Sequence, residues 1–182
     1  LQQMVAADRQ RGLEYEFVFE NPMGSLRRRP YMAEEKWPSA VECARKTVHL
    51  CAFGHPLRKT TDLWTSMTWW DPKGGSGDGR CHKDCGQGGP TVEGTWRHFM
   101  AIGKQPSRAP RGPGAKALRN AMPRRLLDEI LDEANRNQRD QPADVVIDLC
   151  AGYRSLEPTV RERGLTYIAV EIRKSGAEDV GA

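Results

Sequence analysis

No apolar run in the sequence approaches the ~18 residues of a membrane-crossing helix, and no secretory signal is visible. An intracellular protein that stays with its partner and is not secreted is therefore expected. Cysteine is scarce and odd in number, five residues in spacings that do not pair off. That argues against a disulfide framework and for a reducing compartment or metal ligation. G-x-G-x-x-G is absent, which counts against a dinucleotide ligand, and no cysteine follows a proline. Neither sign of charge dominates. The net charge is +4 and the pI about 8.9, a balance that permits a polyanionic partner without demanding one. There are no internal repeats.

What is present fits one domain with an elaboration. At 182 residues, 38% apolar and 29% charged, the chain is long enough to bury a core and is not a disorder candidate. The spacing predicts a helix to about Gln10, a stop at Gly12 and a buried strand over Tyr15–Phe19. A basic loop follows at Arg27-Arg28-Arg29-Pro30, then a short helix over roughly Ser39–Arg45. KTVHLCAF reads as a strand, Gly54-His55-Pro56 as a turn, and Asp62–Trp70 as a second β-like run. From Asp71 to about Gly114 glycine and proline crowd in and periodicity vanishes, so this segment is either mobile or stapled. Leu118, Met122, Leu126, Leu127, Ile130 and Leu131 predict a helix over Ala115–Asn135, with Pro123 in its first turn or at a break. After a polar linker, DVVIDLCAGYRSLEPTVRERGLTYIAVEIR reads as one βαβ unit capped at Gly164. Three parts follow: 1–70, an irregular insertion 71–114, and 115–182.

Several residues carry chemistry. FVFENPMG ends a strand on Glu20-Asn21-Pro22. If that strand is central and parallel, Glu20 stands at its carboxyl end, where open α/β sheets bind ligands. In the last unit, Asp148-Leu149-Cys150 leads into Ala151-Gly152, a tight turn that lets a ligand approach the main chain. Tyr153, Arg154 and Ser155 extend that turn. Glu171, followed by Ile172, ends the next strand about 20 residues on, the place for an acid that holds ribose hydroxyls. CHKDC supplies Cys81, His82 and Cys85, soft donors spaced for tetrahedral zinc, with Cys51 or His55 as a fourth ligand. Trp64, Trp69, Trp70 and Trp96 lie among Arg97, Arg108, Arg111, Lys116 and Arg119. Rings at β spacing suit a core, while the cations of SRAPRGPGAK, with Arg27 and Arg28, suit phosphate.

The motifs also carry a resemblance. DLCAG resembles motif I of S-adenosylmethionine (SAM)-dependent methyltransferases. Asn120-Ala121-Met122-Pro123 and the helix after it are similar to the last motif of cytosine-5 DNA methyltransferases, with Arg119 where a glycine usually stands. FVFENP resembles the family's E-N-V motif in its phage-type and mobile-element-type form. VHLCAFGHPLRKTTDLW is similar to the family's Y-G-x-P-Q-x-R-x-R hairpin, with Leu57, Lys59 and Thr61 replacing Gln and the two Arg residues. The resemblance covers about two thirds of the chain. It implies a Rossmann-like sheet in circularly permuted motif order, SAM held at Asp148–Ser155, Glu171 and Ile172 with Asn120 beside them, and DNA with its target cytosine flipped out. Glu20 would grip the pyrimidine at N3 and its exocyclic amine, and Lys59 would place a positive charge nearby. Zinc is a second expected cofactor, and location with the DNA, in nucleus or nucleoid, is implied.

The family's nucleophile, a Cys after a Pro, has no counterpart here, so a further segment or a second chain would supply it. Two other readings stay open. One is an amino-methyltransferase acting on adenine or cytosine through Asn21-Pro22; the other is a non-catalytic module that binds SAM or nucleic acid.

Overall fold

In a computed structural model, residues 2–12, 15–32, 41–101, 118, 121–137, 145–149 and 156–170 are described. The β-branched and aromatic run TTDLWT forms β4 (Thr60–Thr65), the middle strand of a three-stranded sheet. β1 (Val18–Pro22) and β2 (Ala44–His49) flank it, both antiparallel, with Val18 opposite Thr65 and His49 opposite Thr60. Strand alternation sends successive β4 side chains to opposite faces. Leu63 joins a core with Val48, Leu50, Phe53, Met67, Trp70 and Leu126. Trp64 joins a second with Val5, Met32 and Val41. Helix α1 (Gln2–Gln10) thus covers one face through Val5, and α2 (Arg124–Asn137) covers the other through Leu126.

Two sequence expectations change here. Among the described residues β1 is an edge strand with an antiparallel neighbour, not a central parallel one, and Glu20 is its third residue rather than a strand-end group. The edge position suits Pro22, which has no N–H to give a second neighbour. The helix expected over Ser39–Arg45 is not formed across its described part. Ala44 and Arg45 open β2, because pairing to β4 through β-branched Thr47 and Val48 outweighs a short local helical pattern. Residues 33–40 lie outside the described set.

β2 runs directly into a 3-10 turn over Leu50–Phe53, closed by Gly54 in the left-handed region at φ 86°. β3 (Leu57–Arg58) then pairs in parallel with β7 (Met100–Ala101). Between them, the only other strands in the irregular segment are β5 (Gly88–Pro90) and β6 (Trp96–His98), an antiparallel pair among the described residues. The start of that segment is tied down by polar bonds. Glu129 on α2 accepts the Lys73 and Gly74 N–H groups, both at 2.9 Å, and Arg125 donates to the Gly74 carbonyl at 2.8 Å. The expected helix at Ala115–Asn135 is present from Arg124, directly after Pro123, whose carbonyl accepts the first helical N–H bonds.

At the far end, β8 (Val145–Leu149), α3 (Glu157–Glu162) and β9 (Thr166–Val170) form the expected βαβ unit, with β8 and β9 parallel. Arg163 bonds Asp128 and Asp132 and so ties this unit to α2. The described residues form a mixed α/β fold built from small sheets. Among them, no helix is long and apolar enough to cross a membrane.

Asp62 is fully buried on β4, and its Oδ1 accepts Arg27 Nη2 at 3.0 Å and Thr47 Oγ1 at 2.8 Å. Its Oδ2 has no partner among the described residues. A buried carboxylate in a half-satisfied network depends heavily on its one cation. Arg27→Ala is expected to lower stability by about 3 kcal/mol, the scale for stripping a buried charge of its partner. Urea denaturation would register this as a fall in midpoint at unchanged slope.

Candidate functional site

Two constellations stand out, one of thiols and imidazoles, the other an acid with a lysine. The first draws on the turn after β2, the irregular segment and β6. Cys51 projects from the 3-10 turn, Cys81 and Cys85 from the loop before β5, and His98 from the end of β6. Their four ligand atoms all lie within 4.8 Å of one another. His98 Nε2 is 3.4 Å from both Cys81 Sγ and Cys85 Sγ. A tetrahedral metal about 2.3 Å from sulfur and about 2.0–2.1 Å from nitrogen would hold such donors about 3.6 Å apart. The donor set therefore fits a four-coordinate, thiolate-rich metal site, closed by its own side chains.

Neighbouring groups orient the ligands. The Cys81 N–H donates to His49 Nδ1 at 3.0 Å, and the Trp96 ring meets the His98 ring edge-on, centroids 4.5 Å apart. Gly88 is obligatory beneath that ring, since a Cβ there would come within 2.5 Å of Trp96. Burial pushes the Cys51 thiol far up, and the neighbouring Cys81 and Cys85 push it further. Burial likewise raises Cys85 and lowers His98. Cys51 and Cys85 thus resist ionising without a cation, and burial biases His98 toward its neutral form. A dication reverses the first penalty and uses the second.

The structure brings together the expected Cys51, Cys81 and Cys85 and adds His98, which the sequence did not single out. The two histidines expected there are employed elsewhere. His82 turns outward, and its Nε2 meets Asp78 Oδ2 at 2.9 Å. Asp78 is held down to about 2 by the Arg80 N–H and then by His82. His55 is buried and uses both ring nitrogens on the main chain: Nδ1 accepts the Leu57 N–H at 3.0 Å, and Nε2 donates to the Leu118 carbonyl at 3.0 Å. The distance of His98 in sequence from CHKDC hid it.

The second constellation joins β1 to the approach to β4. Lys59 Nζ donates to Glu20 Oε1 at 3.1 Å, with the lysine side chain 11% exposed and the glutamate 25%. Glu20 lies on the Val18 side of β1, the face that carries Leu63 and Val48. Asn21 points the other way, and its Nδ2 donates to the Pro22 carbonyl at 2.7 Å.

The expected nucleic-acid contacts divide. Arg28 is exposed, but Arg27 is committed to Asp62 and Thr47. Trp64 and Trp70 are core residues, as β spacing suggested, whereas Trp69 is 47% exposed and donates to Glu133 at 2.9 Å. Arg108, Arg111, Lys116, Asn120, Cys150–Ser155, Glu171 and Ile172 lie outside the described residues, and Asp148 is described only as a backbone position in β8.

Metal capture at the four-ligand cluster should release protons, because the thiols must ionise to bind. Apparent affinity should therefore fall steeply as pH drops, since raised thiol pKa values move the thiolate forms to higher pH. Calorimetric titration in two buffers of different ionisation enthalpy would measure that release; identical heats would contradict it. Compared with known proteins, the chain matches no family model, no curated protein and no solved structure.

Proposed function

We propose that this chain is the greater part of a SAM-dependent DNA methyltransferase acting on carbon 5 of cytosine, with a zinc ion as structural staple. The observation that carries the reading is the Lys59–Glu20 pair. The resemblance requires a carboxyl group with a cation beside it at these two positions, although they are far apart in sequence and belong to different motifs. The parallel β8–α3–β9 unit supports it as well, being the scaffold on which a nucleoside cofactor turn is built. For the metal, three thiolates and one imidazole suit zinc better than harder cations.

In this mechanism Glu20 grips N3 and the exocyclic amine of an extruded cytosine and supplies the proton at N3 as carbon 6 accepts a thiolate. Lys59 holds the Glu20 carboxyl in place and stands near the pyrimidine oxygen. A lysine presents a point charge where the family's arginine presents a fork, so bidentate recognition is replaced by simple electrostatics. The thiolate comes from outside this sequence, since none of its five cysteines follows a proline. Bound SAM supplies the methyl group for carbon 5, and Asp148 to Ser155 with Glu171 form its expected seat. The zinc would take no part in the chemistry, because its four ligands leave no open position.

Calorimetry with SAM tests the cofactor half on the chain as it stands. Glu171→Ala should weaken binding by about 1–3 kcal/mol, the cost of stripping partners from a desolvated ribose. A well-folded wild type that binds no SAM sinks the proposal.

The base-gripping half needs the enzyme completed by its Pro-Cys segment. Glu20→Gln keeps shape and loses the titrating proton, so turnover should fall by roughly 10²–10⁴ while SAM affinity holds. If Asn21→Ala abolishes turnover instead, and the product is an N-methylated base, the amino-methyltransferase reading replaces this one.

A further inference from the structure

Lys59 belongs to no strand; it sits between β3 and β4, and its position is fixed by what grips its main chain. One grip comes from the residue before a metal ligand: the Leu50 N–H donates to the Lys59 carbonyl at 2.9 Å, and Leu50 adjoins Cys51. His49, one residue earlier, accepts the Cys81 N–H through Nδ1 and donates its own N–H to the Gly79 carbonyl at 2.9 Å. The other grip comes from the opposite end of the cluster. β3, which ends at Arg58, pairs with β7, which begins two residues after His98. Both supports of Lys59 are thus continuous with segments that the four ligands draw together. Leu50, Phe53 and Leu57 are core-packed, but the stretch over residues 79–98 that carries the other three ligands holds little apolar core, so a cross-link is its main source of order.

From this we infer that the metal centre is the positioning device for Lys59: closing Cys51, Cys81, Cys85 and His98 around zinc holds the Lys59 ammonium against Glu20. The inference rests on the zinc reading above but not on the methyltransferase reading. The pairing of β7 with β3 transmits the effect, while core-packed Leu50 keeps its hold on the Lys59 main chain. Lys59 is a positioning residue in this scheme, and the metal ligands position it in turn. Loss of metal would leave β4 and the two cores in place, Leu50 included, while freeing β7 from β3 and so loosening the ammonium from its acid.

Amine acylation of the full chain, read residue by residue with mass spectrometry, tests this without any activity assay. In zinc-loaded protein Lys59 should label slowly, and after chelation roughly tenfold faster, as expected for a local opening that spares the global fold. Exposed Lys73 should label alike in both states and serves as the control. His98→Ala should reproduce the fast labelling, and His98→Cys, which keeps four ligands, should restore protection. Elemental analysis of the same samples separates the two ways of failing. About one zinc per chain with unchanged Lys59 labelling overturns the positioning role alone. No bound metal in folded protein overturns the zinc reading and this inference with it.

Discussion

The convergence of three thiols and an imidazole is the constraint on which the middle of the molecule depends. Between Asp71 and Ala101 the chain offers few buried apolar side chains. Glycines at 74, 77, 79, 86 and 94 take positive φ, conformations that a packed hydrophobic segment would not need so often. Ordering such a stretch costs roughly 1–2 kcal/mol per residue in backbone entropy, and burial cannot offset that here. Polar ties to α2 hold its beginning and the four ligands hold its middle and end. Among the described residues, β5 and β6 pair as strands only with each other.

The three-stranded sheet works on the opposite logic. β4 is buried along nearly its whole length and serves two cores, one per face, so its sequence must satisfy both at once. Leu63 and Trp64 do so by simple alternation. Asp62 is the exception, a charged group in the middle of this strand, admitted because Arg27 and Thr47 reach it. The sheet also separates the roles of neighbouring residues. Glu20 and Asn21 adjoin in sequence yet face opposite ways, which is why only one of them can meet Lys59.

Much of this was legible from residues alone where a pattern is local and repeats. The α2 periodicity, the break at Pro123 and the βαβ unit with Gly164 after its helix all survive in the structure. Prediction failed where distant pairing decided the outcome. A short helical pattern near Ala44 yielded to β2 because β4 lay ready to pair with it. The strand expected over Tyr15–Phe19 forms instead at Val18–Pro22, and which neighbour it takes, and in which direction, is not encoded locally. The metal cluster shows the same division. Cys81 and Cys85 announce themselves by spacing, and Cys51 was within reach of reasoning. His55 and His82 looked equally suitable because nothing in the sequence reveals that backbone groups and Asp78 already occupy them. Glu20 and Lys59, which the resemblance sets side by side, form an ion pair, while the cofactor turn falls outside the described residues.

The long reach of the Glu20–Lys59 contact has a consequence for biosynthesis. The two residues are 39 positions apart, and translation proceeds at about 5–20 residues per second, so Glu20 waits roughly 2–8 s for its lysine. β1 waits still longer for β4, its only strand partner among the described residues, and meanwhile presents an unpaired edge with Val18 and Phe19 on it. The hairpin of β2 and β4, joined through the Leu50–Phe53 turn, is the local unit and can close first. The earliest-made strand of the sheet is therefore the last to be incorporated, and the interval before docking is when the nascent chain is most open to mispairing with another copy of itself.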